Sequence, residues 1–239
     1  YWQGDRCWFY LNTSGQKLSD RSYRKIPCIA PLRECLAAGI IMATGYDGSV
    51  PFINPMCGSG TLAIEAALIG SNRACGLLRR NFGFMHELNF DKDKWKDIRL
   101  EAQKLAKKTP ARIIATDISE EAVRAAQKNA MTAGVDHLIE FDVCDFAETE
   151  IPEQPGMIVM NPEYGRRLGE TEQLRADYER IGDFFKQKCP GHTGYVFTGN
   201  MKLAKKIGLR TSRRLVFYNG EIECRLLEYE LYKGTKKDK

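Results

Sequence analysis

The stretch from Pro51 to Gly70, PFINPMCGSGTLAIEAALIG, constrains the fold of this chain more than any other segment. The apolar run Pro51–Ile53 predicts a buried parallel strand, and residues 56–60 predict a tight turn. Residues 61–69 then have the composition of a helix. A strand, a glycine turn and a helix in this order place bare backbone N–H groups and the positive end of a helix against a ligand. Two glycines in the turn let the backbone approach a cofactor without an intervening Cβ.

The length and composition are those of an ordinary globular protein. The chain has 239 residues, of which 43% are hydrophobic and 28% are charged, enough for one large α/β domain or two small ones. No run of about 18 apolar residues predicts a membrane span, and the N-terminus does not have the pattern of a signal peptide. The chain begins at Tyr1 and not at Met, which is consistent with a piece of a longer protein.

The eight cysteines lie within apolar stretches and form no C-x-x-C pair. This pattern predicts reduced, buried thiols in a cytoplasmic protein and favours neither a disulfide framework nor a zinc site. The three histidines are far apart in the sequence, so we expect no metal site. The net charge of +5 is compatible with a polyanionic partner but does not require one.

The N-terminal part predicts a strand and turn between Trp8 and Leu18, with the turn at residues 12–15. The basic segment RSYRK follows, and two interpretations are open for it: a solvated loop, or a phosphate contact through Arg21 and Arg24. Pro31 is then expected to open a helix that ends at residue 45.

The remainder of the chain alternates predicted strands and helices. Four further strands are predicted at 111–116, 138–143, 156–160 and 194–198, with helices at 119–133 and 173–188. Ser119 is expected to cap the start of the first of these helices, and Gly134 is expected to end it. A charged helix at 91–108 is expected to cover the sheet as an amphipathic element. Such an alternation predicts a mostly parallel sheet.

The C-terminal part departs from this alternation. Two β-rich runs, 213–218 and 222–232, flank Asn219-Gly220, which is a strong hairpin signal. We therefore predict an α/β fold with a mostly parallel sheet that is closed by an antiparallel C-terminal hairpin. Residues 1–30 are expected to form an extension that packs on a catalytic domain of residues 31–239.

The glycine turn fits the dinucleotide fingerprint through Gly58-x-Gly60-x-x-Ala63. A nicotinamide enzyme would carry an acidic residue about 20 positions further on. Here the acidic residue that ends a strand is Asp117, which comes much later, so another adenosine-containing ligand is favoured. A carboxylate at this position could accept both hydroxyls of a ribose, and the alternative is a helix-capping or solvated aspartate.

Asp145 ends the third predicted strand in the same row of strand ends. Its carboxylate could accept a hydrogen bond from an adenine amino group, with the ring of Phe146 behind the base. An ordinary turn aspartate is the alternative for Asp145, because strand ends often carry Asp in turns.

The fourth strand ends in Asn161-Pro162-Glu163-Tyr164, at the edge where open α/β sheets bind ligands. The exocyclic amine of a base is a poor nucleophile because its lone pair is delocalised into the ring. The Asn161 side-chain oxygen and the Pro162 carbonyl could accept its two N–H groups and stabilise developing positive charge. Tyr164 could stack on the base, a contact worth roughly 1–3 kcal/mol.

Several motifs together resemble those of the class I S-adenosylmethionine-dependent methyltransferases. More narrowly, the chain is similar to the bacterial THUMP-associated 23S rRNA guanine-N2 methyltransferases. The shared motifs are RSYRK, APLRE, NPMCGSGTLAIEAA, RNFGF with Trp95 downstream, ATDIS, DVCDF, NPEYGRRLGE and NGEIECRLL. The motifs NPEYGRRLGE and RNFGF indicate this subgroup most specifically.

The resemblance implies a Rossmann-like sheet of seven strands and the cofactor S-adenosyl-L-methionine, which leaves as S-adenosyl-L-homocysteine. It implies that a guanine N2 amine in RNA is held by Asn161, Pro162 and Tyr164. Basic side chains near the ligand edge would suit the RNA backbone, and these are Arg21, Arg24, Arg166 and Arg167. The implied cofactor contacts are Asn54, Met56, Cys57, Gly58, Ser59, Gly60, Asp117, Ile118, Asp145, Phe146 and Asn161.

Two positions depart from the family pattern. Asn54 replaces the common acidic residue before the proline, so its hydrogen bond to the cofactor's ammonium would carry no charge. Glu163 replaces the second proline of NPPY-like motifs, and its carboxylate could either receive the proton released on transfer or face solvent. The THUMP region that normally precedes this domain in the family is not within these residues.

Three alternatives stay open from the residues alone. The same amine-binding motif would serve the N6 amine of adenine. A nicotinamide oxidoreductase would share the topology, although the late acidic residue and the NPEY motif count against it. A non-catalytic RNA-binding module could also retain the fold, and the intact set of site residues disfavours it.

Overall fold

The sheet at the centre of the fold has seven strands. The structure is a computed structural model, and it describes residues 1–28, 32–106, 111–164 and 172–232. The strands are β1 (Phe52–Pro55), β2 (Ile113–Asp117), β3 (Glu140–Val143), β4 (Met157–Met160), β5 (Thr193–Thr198), β6 (Arg213–Asn219) and β7 (Ile222–Glu230). Their spatial order is β3-β2-β1-β4-β5-β7-β6.

The first five strands are parallel, and β7 runs antiparallel to both β5 and β6. The predicted α/β class, with a mostly parallel sheet closed by an antiparallel C-terminal hairpin, is confirmed. Phe52 of β1 pairs with Ile113 of β2 on one side and with Met157 of β4 on the other. The strand order therefore reverses between β1 and β4, and ligands of open α/β sheets bind at the carboxyl ends of strands at such a reversal.

Helices cover both faces of the sheet because side chains of a buried strand alternate between the two faces. The helices are α1 (Glu34–Thr44), α2 (Thr61–Gly70), α3 (Lys92–Lys104), α4 (Glu120–Ala133), α5 (Glu172–Lys188) and α6 (Met201–Ala204). Phe52 contributes to a core with α1, α2 and α4, whereas its neighbour Ile53 contributes to a core with α5 and α6.

Helix α4 has both of the caps that the sequence predicts. The Ser119 hydroxyl accepts a hydrogen bond from the N–H of Ala122 at 3.3 Å, which satisfies one of the unpaired donors of the first turn. Gly134 ends the helix in the left-handed conformation at a φ of 69°. The Ser119 cap sets where α4 begins, three residues beyond Asp117 of β2, and Gly134 sets where it ends.

Two predictions in the first half of the chain are wrong. No strand starts at Trp8; the N-terminal pair consists of Trp2–Gln3 and Arg6–Cys7, closed by a Tyr1–Trp8 ring contact with centroids 5.5 Å apart. Helix α3 does not cover the sheet, whose faces are already covered by other helices. It lies on the preceding loop, where the Trp95 ring packs edge-on against Phe84 at 5.0 Å.

The C-terminal hairpin has a turn one residue later than predicted. Asn219 pairs with Ile222, so the two-residue loop consists of Gly220 and Glu221, with a φ of 65° at Gly220. Asn219 is thus the last residue of β6 and not a turn residue. The hairpin itself, and its direction, agree with the prediction.

Candidate active site

The glycine turn, residues 56–60, joins β1 to α2 at the carboxyl edge of the sheet. Its φ angles are positive at Met56 (60°), Gly58 (55°) and Gly60 (81°). A Cβ at position 60 would lie 2.8 Å from the Cβ of Ala126, so glycine allows α2 to pack on α4. A Cβ at position 58 would meet no atom of the described residues within 4 Å. The backbone of Gly58 therefore borders open space that a cofactor would fit.

Asp117 lies beside this turn. Its Oδ2 accepts a hydrogen bond from the backbone N–H of Gly58 at 2.9 Å, and its Oδ1 accepts one from the N–H of Ser119 at 3.0 Å. The next residue, Ile118, is 73% exposed and offers an apolar surface that a bound ring would cover. Asp117 and Ile118, which are both predicted to contact the cofactor, thus lie at the turn. The contact between Asp117 and the ribose stays a prediction.

Cys57 and Ser59 are buried within the turn. The N–H of Cys57 donates to the Thr116 carbonyl at 2.8 Å, and the Ser59 carbonyl accepts from the Asn129 side chain at 3.1 Å. Burial, together with the nearby Asp117 charge, raises the pKa of the Cys57 thiol, so the thiol is neutral. Any contact from these two residues to a cofactor would come from their backbone.

Asp145 follows β3, whose Val143 pairs with Asp117 in the neighbouring strand. Its Oδ1 accepts hydrogen bonds from Ala147 N–H (2.9 Å) and from the Arg180 guanidinium (2.7 Å). Burial raises the pKa of Asp145, but these hydrogen bonds and the Arg180 charge outweigh burial, and the pKa is lowered. Asp145 is therefore an ionised acceptor at the ligand edge.

Phe146 has a different environment from the one predicted. The ring is 5% exposed, packs edge-on against Phe184 with centroids 5.8 Å apart, and lies 4.7 Å from the Arg180 guanidinium carbon above it. Phe146 is thus a core residue covered by Arg180. An adenine could stack on this ring only if Arg180 moved aside.

Two buried amide oxygens at the reversal of strand order have no hydrogen-bond partner among the residues that the structure describes. Asn54 is fully buried, and its Nδ2 donates to the Val159 carbonyl of β4 at 2.8 Å, but its Oδ1 has no partner. The Oδ1 of Asn161, two residues beyond Val159, is likewise buried without a partner. A buried acceptor without a donor costs about 1–3 kcal/mol, so a ligand that brings N–H donors to these two oxygens would gain that free energy on binding.

The rest of the NPEY motif is distributed between core and solvent. Pro162 is buried, Glu163 is exposed, and Tyr164 is half-buried. The ring of Tyr164 lies over Gly199, which follows β5; a Cβ there would approach two ring atoms to 3.1 Å. Solvent exposure of Glu163 agrees with the second of the two interpretations given for its carboxylate.

The segment RSYRK does not have the role predicted for its arginines. The guanidinium of Arg21 forms an ion pair with the buried Glu65 of α2, whose other oxygen accepts from the Tyr23 hydroxyl at 2.9 Å. Arg24 donates to the Thr61 hydroxyl at 2.9 Å and lies 3.8 Å from Glu34. These internal partners leave the two side chains 16% and 14% exposed, which corrects the prediction of RNA contacts for Arg21 and Arg24.

Asn129 of α4 is a site-supporting residue that sequence reasoning missed. Its Oδ1 accepts from the N–H groups of Lys25 (2.8 Å) and Ile26 (3.1 Å), while its Nδ2 donates to the carbonyls of Ile26 (2.9 Å) and Ser59 (3.1 Å). One fully buried amide thus joins the N-terminal segment to the glycine turn. The only sequence signal is a polar residue on the alanine-rich face of a predicted helix.

Several other predictions concern charges, thiols and metals. Arg166, Arg167 and the domain boundary at residue 30 lie outside the described residues.

All eight cysteines lie within the described residues and none forms a disulfide there, but Cys7 and Cys35 are exposed, so the expectation of buried thiols is wrong for these two. In the described ranges, no group of histidine, cysteine and acidic side chains could hold a metal ion. Of the helices described, none combines the length and apolar character needed to cross a bilayer.

A cleft of about 420 Å³ lies away from the predicted site residues, between the ends of α2 and α4 and the segment before α3. Leu68, Arg73 and Gly134 are among the residues that line it. Because α2 starts at the glycine turn and runs back across the sheet, this cleft is at the opposite edge. The strand ends, and not this cleft, therefore define the candidate site.

The comparisons with known proteins agree with this arrangement. The protein slr0064 of Synechocystis sp. is 38% identical over 229 residues, which are 95% of this chain and 60% of that protein. The ribosomal RNA large subunit methyltransferase K/L of Psychromonas ingrahamii is 39% identical over 233 residues, 95% of this chain and 31% of that protein. The chain therefore spans less than two thirds of either relative.

One of the similar solved structures contains S-adenosylhomocysteine, the product that remains when S-adenosylmethionine has given up its methyl group. The crystal structure of SMU.472 in complex with S-adenosylhomocysteine matches with a TM-score of 0.85 and 28% identity, covering 93% of this chain and 58% of that one. A family model described as RMKL-like, methyltransferase domain (UPF0020) matches residues 21–228. With its seven-stranded sheet, its glycine turn and its NPEY motif, the chain belongs to this family of RMKL-like methyltransferase domains.

Proposed function

We propose that this chain transfers a methyl group from S-adenosyl-L-methionine to the exocyclic N2 amine of a guanine in RNA, specifically in 23S rRNA. Membership of a methyltransferase family and the name of the K/L relatives support an RNA methyltransferase. The choice of guanine N2 rests on the similarity of NPEYGRRLGE and RNFGF to the guanine-N2 subgroup. An enzyme that acts on ribosomal RNA would work in the cytoplasm.

The observation that carries this proposal is the buried Oδ1 of Asn161 at the end of β4, which no donor in the described part of the chain reaches. An acceptor kept without a donor in the folded protein lowers stability, and such groups in native structures indicate a catalytic or ligand-binding use. An amine is the donor that fits, because it brings two N–H groups and the Pro162 carbonyl is the second acceptor in the adjacent residue.

The chain's own residues would promote transfer by position and charge. S-adenosyl-L-methionine, when bound, supplies an electrophilic methyl group on a sulfonium. As the base nitrogen gains a bond to the methyl carbon, the carbon–sulfur bond breaks and the nitrogen becomes positive. Asn161 and Pro162 would stabilise this charge through the two N–H groups they accept. The extra proton then leaves the nitrogen for solvent. The exposed Glu163 is the titratable residue nearest to Asn161 in the sequence.

The cofactor would lie over the glycine turn. Gly58 leaves the backbone bare there, Asp117 ends the neighbouring strand, and exposed Ile118 offers an apolar surface to the adenine. Met56, Cys57, Ser59 and Gly60 would contribute through their backbone. The unpartnered Oδ1 of Asn54 suits the ammonium of the methionine part, as an uncharged acceptor. Asp145 would accept the adenine amino group.

The base would have to leave its helix to enter this site, as it does in other enzymes that modify bases. Tyr164 offers an aromatic face for stacking the extruded base. Arg166 and Arg167, which follow in the sequence, are proposed contacts to the RNA backbone.

The decisive experiment exposes an unmodified 23S rRNA transcript to the protein with methyl-labelled S-adenosylmethionine. Digestion to nucleosides followed by mass spectrometry identifies the modified nucleoside, and a parallel ribonuclease digestion to oligonucleotides locates it. We expect N2-methylguanosine in one oligonucleotide; N6-methyladenosine would instead establish the adenine alternative.

Two variants make the experiment specific. Asn161→Ala is expected to abolish transfer and to bind S-adenosylhomocysteine nearly as the parent does, whereas Asn89→Ala, an exposed asparagine in the loop before α3, is the matched control and should transfer normally. Unchanged turnover in Asn161→Ala would contradict the proposed role.

Titrations with S-adenosylhomocysteine and with NADH separate the other two alternatives. The proposal requires binding of the first and not the second. Binding of NADH would favour an oxidoreductase, and no binding of S-adenosylhomocysteine at millimolar concentration would favour a non-catalytic RNA-binding module.

A further inference from the structure

The aromatic ring of the NPEY motif is held by a residue far away in the sequence. The Nδ2 of Asn219, at the end of β6, donates a hydrogen bond to the Tyr164 hydroxyl oxygen at 3.0 Å. The two residues are 55 positions apart. The contact joins the C-terminal hairpin to the segment that follows β4, across the end of β5.

The ring of Tyr164 also packs closely against the backbone of Gly199. Gly199 follows β5 directly, and a Cβ at this position would come within 3.1 Å of two Tyr164 ring atoms and 3.0 Å of the Ile222 Cγ2. The absence of a side chain at Gly199 therefore lets the ring lie against the backbone. Asn219 and Ile222 are the pair that closes the hairpin, so the hairpin end and Gly199 both border the ring.

The backbone at position 219 gives no reason for an asparagine. In an Asn-Gly turn of type I′, asparagine is favoured because it tolerates a positive φ. In the described part of the chain, the non-glycine residues with positive φ are Ser22, Met56 and Asn72. Asn219 thus has ordinary strand geometry, and the hydrogen bond to Tyr164 is the use that the structure shows for its side chain.

We propose that Asn219 is a positioning residue, which holds the Tyr164 phenol so that the ring presents a fixed face to the target base. The inference rests on the proposed function and adds to it a residue from the hairpin. A stacking platform is more effective when its rotamer is already set, because less conformational entropy is lost when the base binds. Removal of one such hydrogen bond is expected to lower kcat/KM for RNA about 3- to 10-fold.

A double-mutant cycle tests the inference. Asn219→Ala, Tyr164→Phe and the double variant are assayed for methyl transfer to the 23S rRNA transcript. Tyr164→Phe retains the ring and removes only the hydroxyl. We expect each single variant to lose about 3- to 10-fold in kcat/KM, and the double variant to lose no more than Tyr164→Phe alone.

The outcomes of the cycle are distinct. Additive losses would mean that Asn219 acts elsewhere and would overturn the inference, as would full activity of Asn219→Ala. Glu221→Ala, an exposed residue of the same two-residue loop, is the matched control and should keep parental activity. The affinity for S-adenosylhomocysteine should be equal in all variants, which separates positioning from a general loss of structure.

A spectroscopic measurement decides the inference even if the parent protein transfers no methyl group to the transcript, a result that would contradict the proposed function alone. With 13C-labelled tyrosine, Asn219→Ala should shift the Cζ resonance of Tyr164, which Tyr164→Phe assigns by its disappearance. Glu221→Ala should leave it in place. An unmoved Tyr164 resonance in Asn219→Ala would overturn the inference.

Discussion

The carboxylate of Asp117 accepts a hydrogen bond from the backbone N–H of Gly58 at 2.9 Å, so the end of β2 and the glycine turn after β1 form one unit. The two residues are 59 positions apart in the sequence. A charged acceptor on a backbone N–H is worth more than a neutral one, and it orients the turn before any cofactor binds. The edge of the sheet at which we propose that the cofactor binds is therefore held in place by the protein's own contacts.

Loss of this carboxylate should weaken cofactor binding. Asp117→Ala removes the acceptor for both Gly58 and Ser119, and we expect the Kd for S-adenosylhomocysteine to rise about 10- to 100-fold. Asp117→Asn keeps one acceptor oxygen, so its Kd should lie between that of the parent and that of Asp117→Ala. Calorimetric titration measures both, with Asp136→Ala, an exposed aspartate after α4, as control. Parental affinity in Asp117→Ala would contradict this assignment.

Alanine substitutions at the two glycines of the turn should affect different properties of the protein. Gly60→Ala places a Cβ 2.8 Å from Ala126 at a φ of 81°, so the free energy of unfolding should fall by about 2–4 kcal/mol. Gly58→Ala meets no described atom within 4 Å and should cost only about 1–2 kcal/mol for its positive φ.

Cofactor affinity should show the opposite order. Gly58→Ala fills the space proposed for the cofactor, and we expect its Kd for S-adenosylhomocysteine to rise at least about tenfold. Chemical unfolding and calorimetric titration of the two variants provide the test. Unimpaired binding by Gly58→Ala would show that the open space at Gly58 is not the cofactor site.

Glu65 should make stability depend on pH. Its burial raises the pKa from 4.5 to about 7, although the Arg21 charge and the Tyr23 hydroxyl act in the opposite direction. In the unfolded chain the carboxyl loses its proton near 4.5, so between these values the folded state holds more protons. The free energy of unfolding therefore falls as pH rises from 4.5 to 7, by up to about 3 kcal/mol, and is then level.

Glu65→Gln provides the comparison because it does not titrate. Guanidinium unfolding at pH 5, 6, 7 and 8 should show that parental stability decreases relative to that of Glu65→Gln across the lower three values. Parallel pH profiles of the two proteins would rule out this titration.

Asn129 should hold the N-terminal segment on the glycine turn. Asn129→Ala removes four hydrogen bonds, and we expect the free energy of unfolding to fall by about 2–4 kcal/mol. The amide protons of Lys25 and Ile26 donate to its side chain and should lose protection from hydrogen exchange. Gln127→Ala, exposed on the same helix, should change neither quantity. Retained protection in Asn129→Ala would contradict this assignment.

The sequence predicted most of the fold because the signals are local. Apolar runs marked the five parallel strands, and Ser119 and Gly134 marked the ends of α4 as they occur. The strand predicted to start at Trp8 does not form. The short pairing in this N-terminal segment instead involves residues closer to the terminus. Helix α3 has an amphipathic pattern, but a pattern does not say which surface its apolar side meets, and here that surface is a loop.

For the candidate site, the sequence by itself determined which residues stand at the strand ends. The glycine turn, Asp117, Asp145 and Asn161 lie at the ends of four parallel strands, and parallel strands bring such ends to one edge. Only the tertiary structure decided what each side chain does there. Arg21 pairs with Glu65, Asn129 reaches Lys25 and Ser59, and Asn219 reaches Tyr164, over separations of 44 to 104 residues. Hydrogen bonds and ion pairs act over a few ångströms in space, and a distance of that kind exists only once the chain has folded.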